Sequence, residues 1–227
     1  MDREIKKIFR QGSTSYYYSS LFFPEEVRED VFYLYAYVRT ADDYVDDLPQ
    51  DEQGFNSFRQ DTFDNWGGSS EDRVVDYFLN VCQRHGFEKE WVEAFLKSME
   101  MDMHKSTYHT MDETLEYIYG SAEVIGLMMN RLLDVEEEAD HAAKMMGRSM
   151  QYANFIRDVR EDNELGRQYL PQEQLEEYGL ESLEREEIQP ENFREFLRSQ
   201  IETYNGWRKE AEKGLHYIPY RTRVPVR

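Results

Sequence analysis

From Pro24 to Asp47 apolar and aromatic positions follow one another almost without relief, and between Val31 and Val45 only Arg39, Thr40, Asp42 and Asp43 interrupt them. A helix apolar on nearly every side belongs in the middle of a bundle. Pro24 followed by Glu25 and Glu26 marks its start, with acids at the positive end of the helix dipole, and Pro49 marks its end. Later stretches keep a helical period. Phe55, Phe58 and Phe63 carry a short helix before the break at Gly67-Gly68-Ser69-Ser70. Val74, Val75, Phe78, Leu79 and Cys82 give the next helix a core face, with Gly86 as its stop. Trp91, Phe95, Leu96 and Met99 carry another, ending near His104. From Met111 to Leu133 the recurring positions are Leu115, Ile118, Tyr119, Ala122, Ile125, Gly126 and Met129. Gly120 and Gly126 inside that run each cost about 1 kcal/mol relative to alanine, which predicts close packing or room for a ligand.

A long helix is predicted from near Glu136 to about Asp162, then a turn-rich connector over Asn163 to Pro171. A short helix from Pro171 to Tyr178 is closed by Gly179, and a last helical pattern runs from Pro190 to Gly214. Residues 11–23, rich in hydroxyls and aromatics, read as an aromatic anchor on the core, with phosphate-donating hydroxyls as the alternative. No strand alternation and no internal repeat is present. The expected fold is all-α, a single-domain helical bundle over residues 1–227.

Charge changes the picture. The chain carries 47 Asp and Glu against 27 Lys and Arg, a net charge of −20. A phosphate backbone needs a basic footprint, so nucleic acid is excluded as the expected partner. Excess acid with few lysines is the composition of a protein working in high salt, where screening removes self-repulsion, and a halophilic origin is expected. The single Cys82 allows no intrachain disulfide and reads as a small buried hydrophobe. Met1 to Arg10 holds no apolar signal region, and no apolar run approaches the length of a membrane span. The expected location is cytoplasmic.

Two acidic rows stand apart from the general acidity. Read as helix, Asn154, Asp158 and Asp162 stack along one stripe, with Gln151 a turn earlier. Carboxylates four apart cost a helix roughly 0.2–0.5 kcal/mol unless something positive lies against them, and a hard divalent cation is the natural occupant. Asp42 and Asp46 repeat the spacing, with Arg39 three residues earlier. Two such helices facing each other would hold Mg²⁺ against diphosphate oxygens. Either row alone reads equally well as a solvated acidic face. Their occurrence together in strongly apolar helices favours the cation–diphosphate reading. Glu184, Glu186 and Glu187 form no comparable stripe. Glu138 and His141 make one ExxH where a di-iron bundle needs two. Dinucleotide, P-loop and hydrolase-elbow motifs are absent.

Ser13-Thr14-Ser15-Tyr16, Tyr35 through Asp46, Tyr119 through Gly126, and Gln151 through Pro171 together resemble the squalene/phytoene synthases, which join two prenyl diphosphates head to head. The resemblance runs from about Ser13 to Arg227, and its Tyr169-Leu170-Pro171 ending is similar to phytoene synthases. It implies a class I isoprenoid synthase bundle in which Asp42 and Asp46 hold Mg²⁺, with Mn²⁺ as a substitute, at one diphosphate. Asn154, Asp158 and Asp162 hold it at the other. It further implies Arg39, Arg157 and Tyr169 as catalytic groups, with Ser13, Ser15, Tyr16 and Gln151 completing the polar shell. Tyr35, Val38, Tyr119, Val124 and Gly126 would border the prenyl channel. The implied reaction converts two geranylgeranyl diphosphates to phytoene through a cyclopropylcarbinyl diphosphate, in carotenoid biosynthesis, and leaves room for peripheral membrane association. Farnesyl diphosphate as substrate, with squalene or dehydrosqualene as product, stays open, as do chain elongation through the DDxxD at Asp42 and a noncatalytic prenyl-lipid-binding subunit. Three departures stand out. Gly12 sits where some members have a histidine, Glu123 replaces a glycine of the usual Ala-Gly-x-Val-Gly, and the family normally continues beyond Arg227, so a C-terminally incomplete bundle is expected.

Overall fold

The computed structural model describes residues 2–183 and 190–223, and among these the chain is helical with no strand. Its one extended pairing is an isolated bridge between Thr107 and Gln168. The expectation of an all-α fold holds. The helices are α1 (Arg3–Gly12), α2 (Thr14–Ser20), α3 (Glu25–Asp46), α4 (Glu52–Asp64), α5 (Arg73–His85), α6 (Lys89–His104) and α7 (Met111–Ile118). A π-helical segment, Tyr119–Glu123, joins α7 to α8 (Val124–Leu132), and a single 3₁₀ turn precedes α9 (Asp140–Arg157). Then come α10 (Val159–Glu164), α11 (Gln172–Glu177), α12 (Pro190–Glu212) and α13 (Tyr220–Arg223). Glu184, Glu186 and Glu187 lie outside the described residues.

The chain divides into two compact units, one of Met1–Trp91, Met128–Ala139 and Leu215–Arg227, the other of Val92–Leu127 and Asp140–Gly214. In the first, α3 is the central post on which α1, α4 and α5 pack. Tyr37 is fully buried and stacks on Phe78 of α5 at 3.7 Å, and its hydroxyl shares a hydrogen bond with Thr62 of α4. Asp72 caps α5 by accepting from the Val74 and Val75 N–H groups. Gly86 ends it in the left-handed region at φ 64°, where a side chain would be strained. Residues 3–20 form two helices, the second of them inside the 11–23 stretch that the sequence suggested as an anchor. Phe9 of α1 stacks on Tyr35, and both Phe9 and Tyr17 of α2 pack against Phe32.

In the second unit α9 pairs with α12 along most of its length and with the π segment on another side. Glycine makes these approaches possible. A Cβ on Gly120 would collide with the Ala94 carbonyl and Ser98 Oγ, one on Gly126 with the Ala143 carbonyl, and one on Gly147 with the Ala122 carbonyl. Of the two explanations for Gly120 and Gly126, the structure supports close packing.

Two helix readings need correction. The run from Met111 to Leu133 is interrupted by the π segment, and the buried positions are Thr114, Tyr117, Ile118, Gly120, Ala122, Glu123, Val124, Leu127, Met128, Asn130, Leu132 and Leu133, while Leu115, Ile125 and Met129 are only partly covered and Tyr119 is exposed. The residue added by a π turn shifts the phase that a constant period assumes. The helix expected from Glu136 to Asp162 begins at Asp140 and breaks for one residue at Asp158, whose ψ is 14°.

Candidate active site

In the first unit the last two turns of α3 present Arg39, Asp42, Asp43 and Asp46. Arg39 reaches both Asp42, through Nη1 at 2.9 Å, and Asp43, through Nη2 at 2.5 Å. These three side chains are about one-third to one-half exposed, so the pairing orients the guanidinium and adds little stability. Burial raises the Asp43 carboxyl above the ordinary carboxylate range; Arg39 opposes this, and the Asp47 and Asp46 charges add to it. Asp43 was not among the sequence-assigned residues, because the four-residue spacing selects Asp42 and Asp46. Its share in Arg39 was nevertheless readable as an i, i+4 pair.

Gly12, at the end of α1, explains one departure from the family pattern. A Cβ there would lie 2.5 Å from the Tyr35 hydroxyl and 3.1 Å from Arg39 Cδ. The volume a larger residue would need is thus occupied by two of the predicted site residues. Tyr35 is half-buried, and burial raises its phenol, with Arg39 pulling the other way. Ser13 caps α2, its Oγ accepting from the Tyr16 N–H at 3.3 Å, and keeps its own proton to donate. Tyr16 is exposed and Val38 partly buried. Ser15 lies within α2, with its side chain outside the described residues.

In the second unit the predicted stripe survives the break at Asp158. The Asp158 N–H donates to the Asn154 carbonyl and the Asp162 N–H to the Asp158 carbonyl, both at 2.8 Å, so the three residues stay one backbone turn apart. Asn154 Nδ2 approaches Gln151 Oε1 at 3.5 Å. Arg157 grips Asp158 through Nε at 2.6 Å and Nη2 at 2.5 Å, with the arginine side chain 70% exposed. A solvated pair of this kind holds together by about 0–1 kcal/mol, so the guanidinium can transfer to a phosphate at small cost.

Tyr169 occupies a different environment from the one its implied catalytic role suggested. It is buried, its ring stacks on Phe155 at 4.4 Å, and its hydroxyl donates to Asp102 at 2.7 Å. Asp102, buried on α6, accepts equally from Tyr117, and Thr114 Oγ1 donates to the Tyr169 carbonyl. Burial first and the Asp102 charge second raise both phenols well beyond their usual range. Tyr169 therefore ties the connector after Asp162 to α6 and α7. Sequence reasoning missed Asp102, whose partners lie 15 and 67 residues away. Of the expected channel residues, Tyr119 is exposed on the π segment, Val124 is fully buried and Gly126 packs against the α9 backbone. The second departure, Glu123, is 3% exposed and accepts from Arg148 Nε of α9 at 2.6 Å. The Arg148 guanidinium also lies 5.3 Å from the centre of the Trp207 ring.

Among the described residues no three His, Cys, Asp or Glu side chains converge into a cage for a metal. Mg²⁺ in general is held by one or two carboxylates and completes its octahedron with water and substrate phosphate. The donors in each row are oxygens alone, without the thiolates or imidazoles of softer metals.

The fold is that of an isoprenoid synthase of the squalene/phytoene type. The structure superposes on a squalene synthase from Alicyclobacillus acidocaldarius with a TM-score of 0.88, at 19% identity over 98% of this chain and 86% of the other. It superposes on a dehydrosqualene synthase, determined with a ligand, with a TM-score of 0.86 and 25% identity over 96% of this chain and 78% of the other. Residues 9–227 match the squalene/phytoene synthase family, and the chain belongs to that family of prenyltransferases. It is 32% identical to a 15-cis-phytoene synthase of Enterobacter agglomerans over 93% of its own length and 76% of the relative's. Against a chloroplastic phytoene synthase of an Oncidium hybrid it is 28% identical over 97% of its length, and it spans 56% of that protein.

Proposed function

We propose that this chain catalyses the Mg²⁺-dependent head-to-head condensation of two geranylgeranyl diphosphates to phytoene. The observation that carries the reading is that each oxygen-donor row has an arginine paired into it, Arg39 with Asp42 and Arg157 with Asp158. Such a pair can pass its guanidinium to a departing diphosphate. The curated relatives at 32% identity are named as phytoene synthases, which favours the twenty-carbon substrate over the fifteen-carbon one.

In this mechanism Asp42 and Asp46 would hold Mg²⁺ for one diphosphate, and Asn154, Asp158 and Asp162 for the other, and the ions would supply neutralisation of charge developing on the leaving oxygens. Arg39 and Arg157 donate to those oxygens, and Ser13 and Gln151 add neutral donors. The first diphosphate departs, the double bond of the second substrate attacks the allylic carbon, and loss of a proton closes a cyclopropylcarbinyl diphosphate. Departure of the second diphosphate, rearrangement and loss of a second proton give phytoene. Apolar walls keep water from the cations between these steps.

The test is incubation with geranylgeranyl diphosphate and Mg²⁺ in molar salt, followed by mass spectrometry. A forty-carbon hydrocarbon is expected, and Asp42→Asn or Asp158→Asn should each abolish it while leaving far-UV helicity unchanged. Turnover retained in either variant refutes the assignment. A thirty-carbon product formed only from farnesyl diphosphate would reassign the substrate.

A further inference from the structure

Asp162, the last member of the second oxygen-donor row, stands on a helix with little support of its own. α10 has six residues, and none of them is buried. A helix that short makes too few hydrogen bonds to stand by itself. On the α9 side it is held by the bond from the Asp162 N–H to the Asp158 carbonyl, and Val159 packs only partly buried against the core. Asn163 Nδ2 adds a tie to the Leu183 carbonyl at 2.9 Å. On the far side the Asp162 carbonyl accepts from the Leu165 N–H at 3.1 Å and from the Arg167 N–H at 2.8 Å, across a turn in which Gly166 has φ 73°. The place of Asp162 beside Asn154 and Asp158 therefore depends on where the connector is fixed.

The connector is fixed to α6, to α7 and to the loop between them. The Gln168 N–H donates to the Ser106 carbonyl at 2.7 Å, the Tyr108 N–H to the Gln168 carbonyl at 3.3 Å, and Thr114 Oγ1 to the Tyr169 carbonyl at 2.9 Å. To these neutral bonds the Tyr169 hydroxyl adds one to a buried acid, Asp102 Oδ1, at 2.7 Å. A bond to an ionised group is roughly twice as strong as a neutral one. Asp102 Oδ2 takes the Tyr117 hydroxyl, also at 2.7 Å, so both oxygens are engaged. A third buried phenol, Tyr108, packs on both rings, yet its hydroxyl has no partner among the described residues. Stacking alone thus leaves a phenol unfixed, and Asp102 supplies the direction for Tyr117 and Tyr169.

We propose that Asp102 is a positioning residue for the second diphosphate site. It fixes Tyr169, Tyr169 fixes the connector, and the Arg167 N–H two residues earlier holds the Asp162 carbonyl, keeping Asp162 in the stripe. The inference rests on the proposed role of Asn154, Asp158 and Asp162 as a metal row. Each phenol takes a separate carboxylate oxygen, and asparagine puts an NH₂ group in place of one of them. Asp102→Asn therefore keeps the volume, and whichever way its amide lies the bond to Tyr169 is either lost or made neutral.

The experiment measures Mn²⁺ binding in the presence of inorganic pyrophosphate by electron paramagnetic resonance, and hydrogen exchange of the connector amides, both on the intact chain. Asp102→Asn should weaken Mn²⁺ binding about 10-fold, the lower end of the cost of removing an outer partner of a metal ligand. It should also speed exchange of the Arg167 and Gln168 amides, because the connector opens more often. Tyr169→Phe should shift both readouts in the same direction, and it carries the test if circular dichroism shows Asp102→Asn unfolded. In an Asp162→Ala background Asp102→Asn should have no further effect on Mn²⁺, since it acts through that residue. Leu79→Ala opens a cavity in the core of the other unit, and should lower stability while leaving both readouts unchanged. Unchanged Mn²⁺ affinity in Asp102→Asn overturns the proposal, as does an equal loss in the Asp162→Ala background or a matching loss in Leu79→Ala. Failure of the intact chain to bind Mn²⁺ refutes the metal row itself; connector exchange that still quickens in Asp102→Asn tells that failure apart from a failure of the Asp102 coupling.

Discussion

Arg148→Met tests the buried pair formed with Glu123. Glu123 is 3% exposed, and Arg148 Nε is its recorded partner, at 2.6 Å. Methionine keeps an unbranched stem to fill the space but removes the donor and the positive charge, leaving a carboxylate out of water without compensation. Breaking a buried pair in this way costs about 3–5 kcal/mol. The Arg148 side chain is 21% exposed, so some water reaches the gap and the lower end applies. Losing the contact with the Trp207 ring adds about 0.5–1 kcal/mol. A total near 3–4 kcal/mol should lower the urea midpoint by roughly 1 M, with m about 3 kcal/mol per molar. Adding Glu123→Ala to the variant removes the stranded charge and should restore most of the loss, because replacing both partners of a buried pair is often close to neutral. The assay is urea unfolding of wild type, both single variants and the double, followed by circular dichroism and tryptophan fluorescence. A cost below about 1 kcal/mol for Arg148→Met, or a double variant as unstable as the two singles added, would refute the reasoning.

Gly120→Ala should destabilise by roughly 1–3 kcal/mol, because its Cβ meets the backbone carbonyl of Ala94 and the neighbouring helix must move; thermal unfolding reads it. Tyr169→Phe leaves Asp102 with one of its two tyrosine donors and should cost about 1.5–3 kcal/mol, without the complete loss of product expected of Asp158→Asn. Tyr117 and Tyr169 are held protonated by burial and then by the Asp102 charge, so their folded pKa lies above the unfolded value of about 10. Their contribution to stability is intact below about pH 10 and is lost as pH rises beyond it, which absorbance at the tyrosinate band during alkaline unfolding would show. Finally, urea midpoints should rise between low and molar KCl if screening of the net charge of −20 stabilises the chain; a flat response removes the halophilic reading.

How much of this was legible in the chain depends on whether the cause is local. α3 and α5 were bounded correctly because Pro24 with Glu25, and Gly86, mark ends by local chemistry. Helix α1 is weakly signalled, since Ile5, Ile8 and Phe9 have helical spacing but are only three apolar positions in ten residues. The break at Asp158 lacks a proline or glycine to announce it, and the π segment adds one residue without any change in composition. In the site, the Arg39–Asp42 pair follows from an i, i+3 spacing and was predictable. Asp102 and Arg148 were not, because their partners come from distant helices and neither carries a motif. The two departures at Gly12 and Glu123 looked alike as substitutions. In space one leaves room for Tyr35 and Arg39, and the other imports a charge together with its counter-ion.

A π turn holds one residue more than the α turn it interrupts, so Tyr119–Glu123 is where this helix can change length. Removing a single residue there would give a regular helix with both flanks still in place. The same deletion in α7 would rotate everything beyond it by about 100° and pull the glycine contacts apart. Ser121 is the residue most readily spared, since its buried Oγ has no hydrogen-bond partner among the described residues. The segment thus gives the chain a position where one residue can be added or lost, beside Gly120 and Gly126, whose own replacement would meet another helix's backbone.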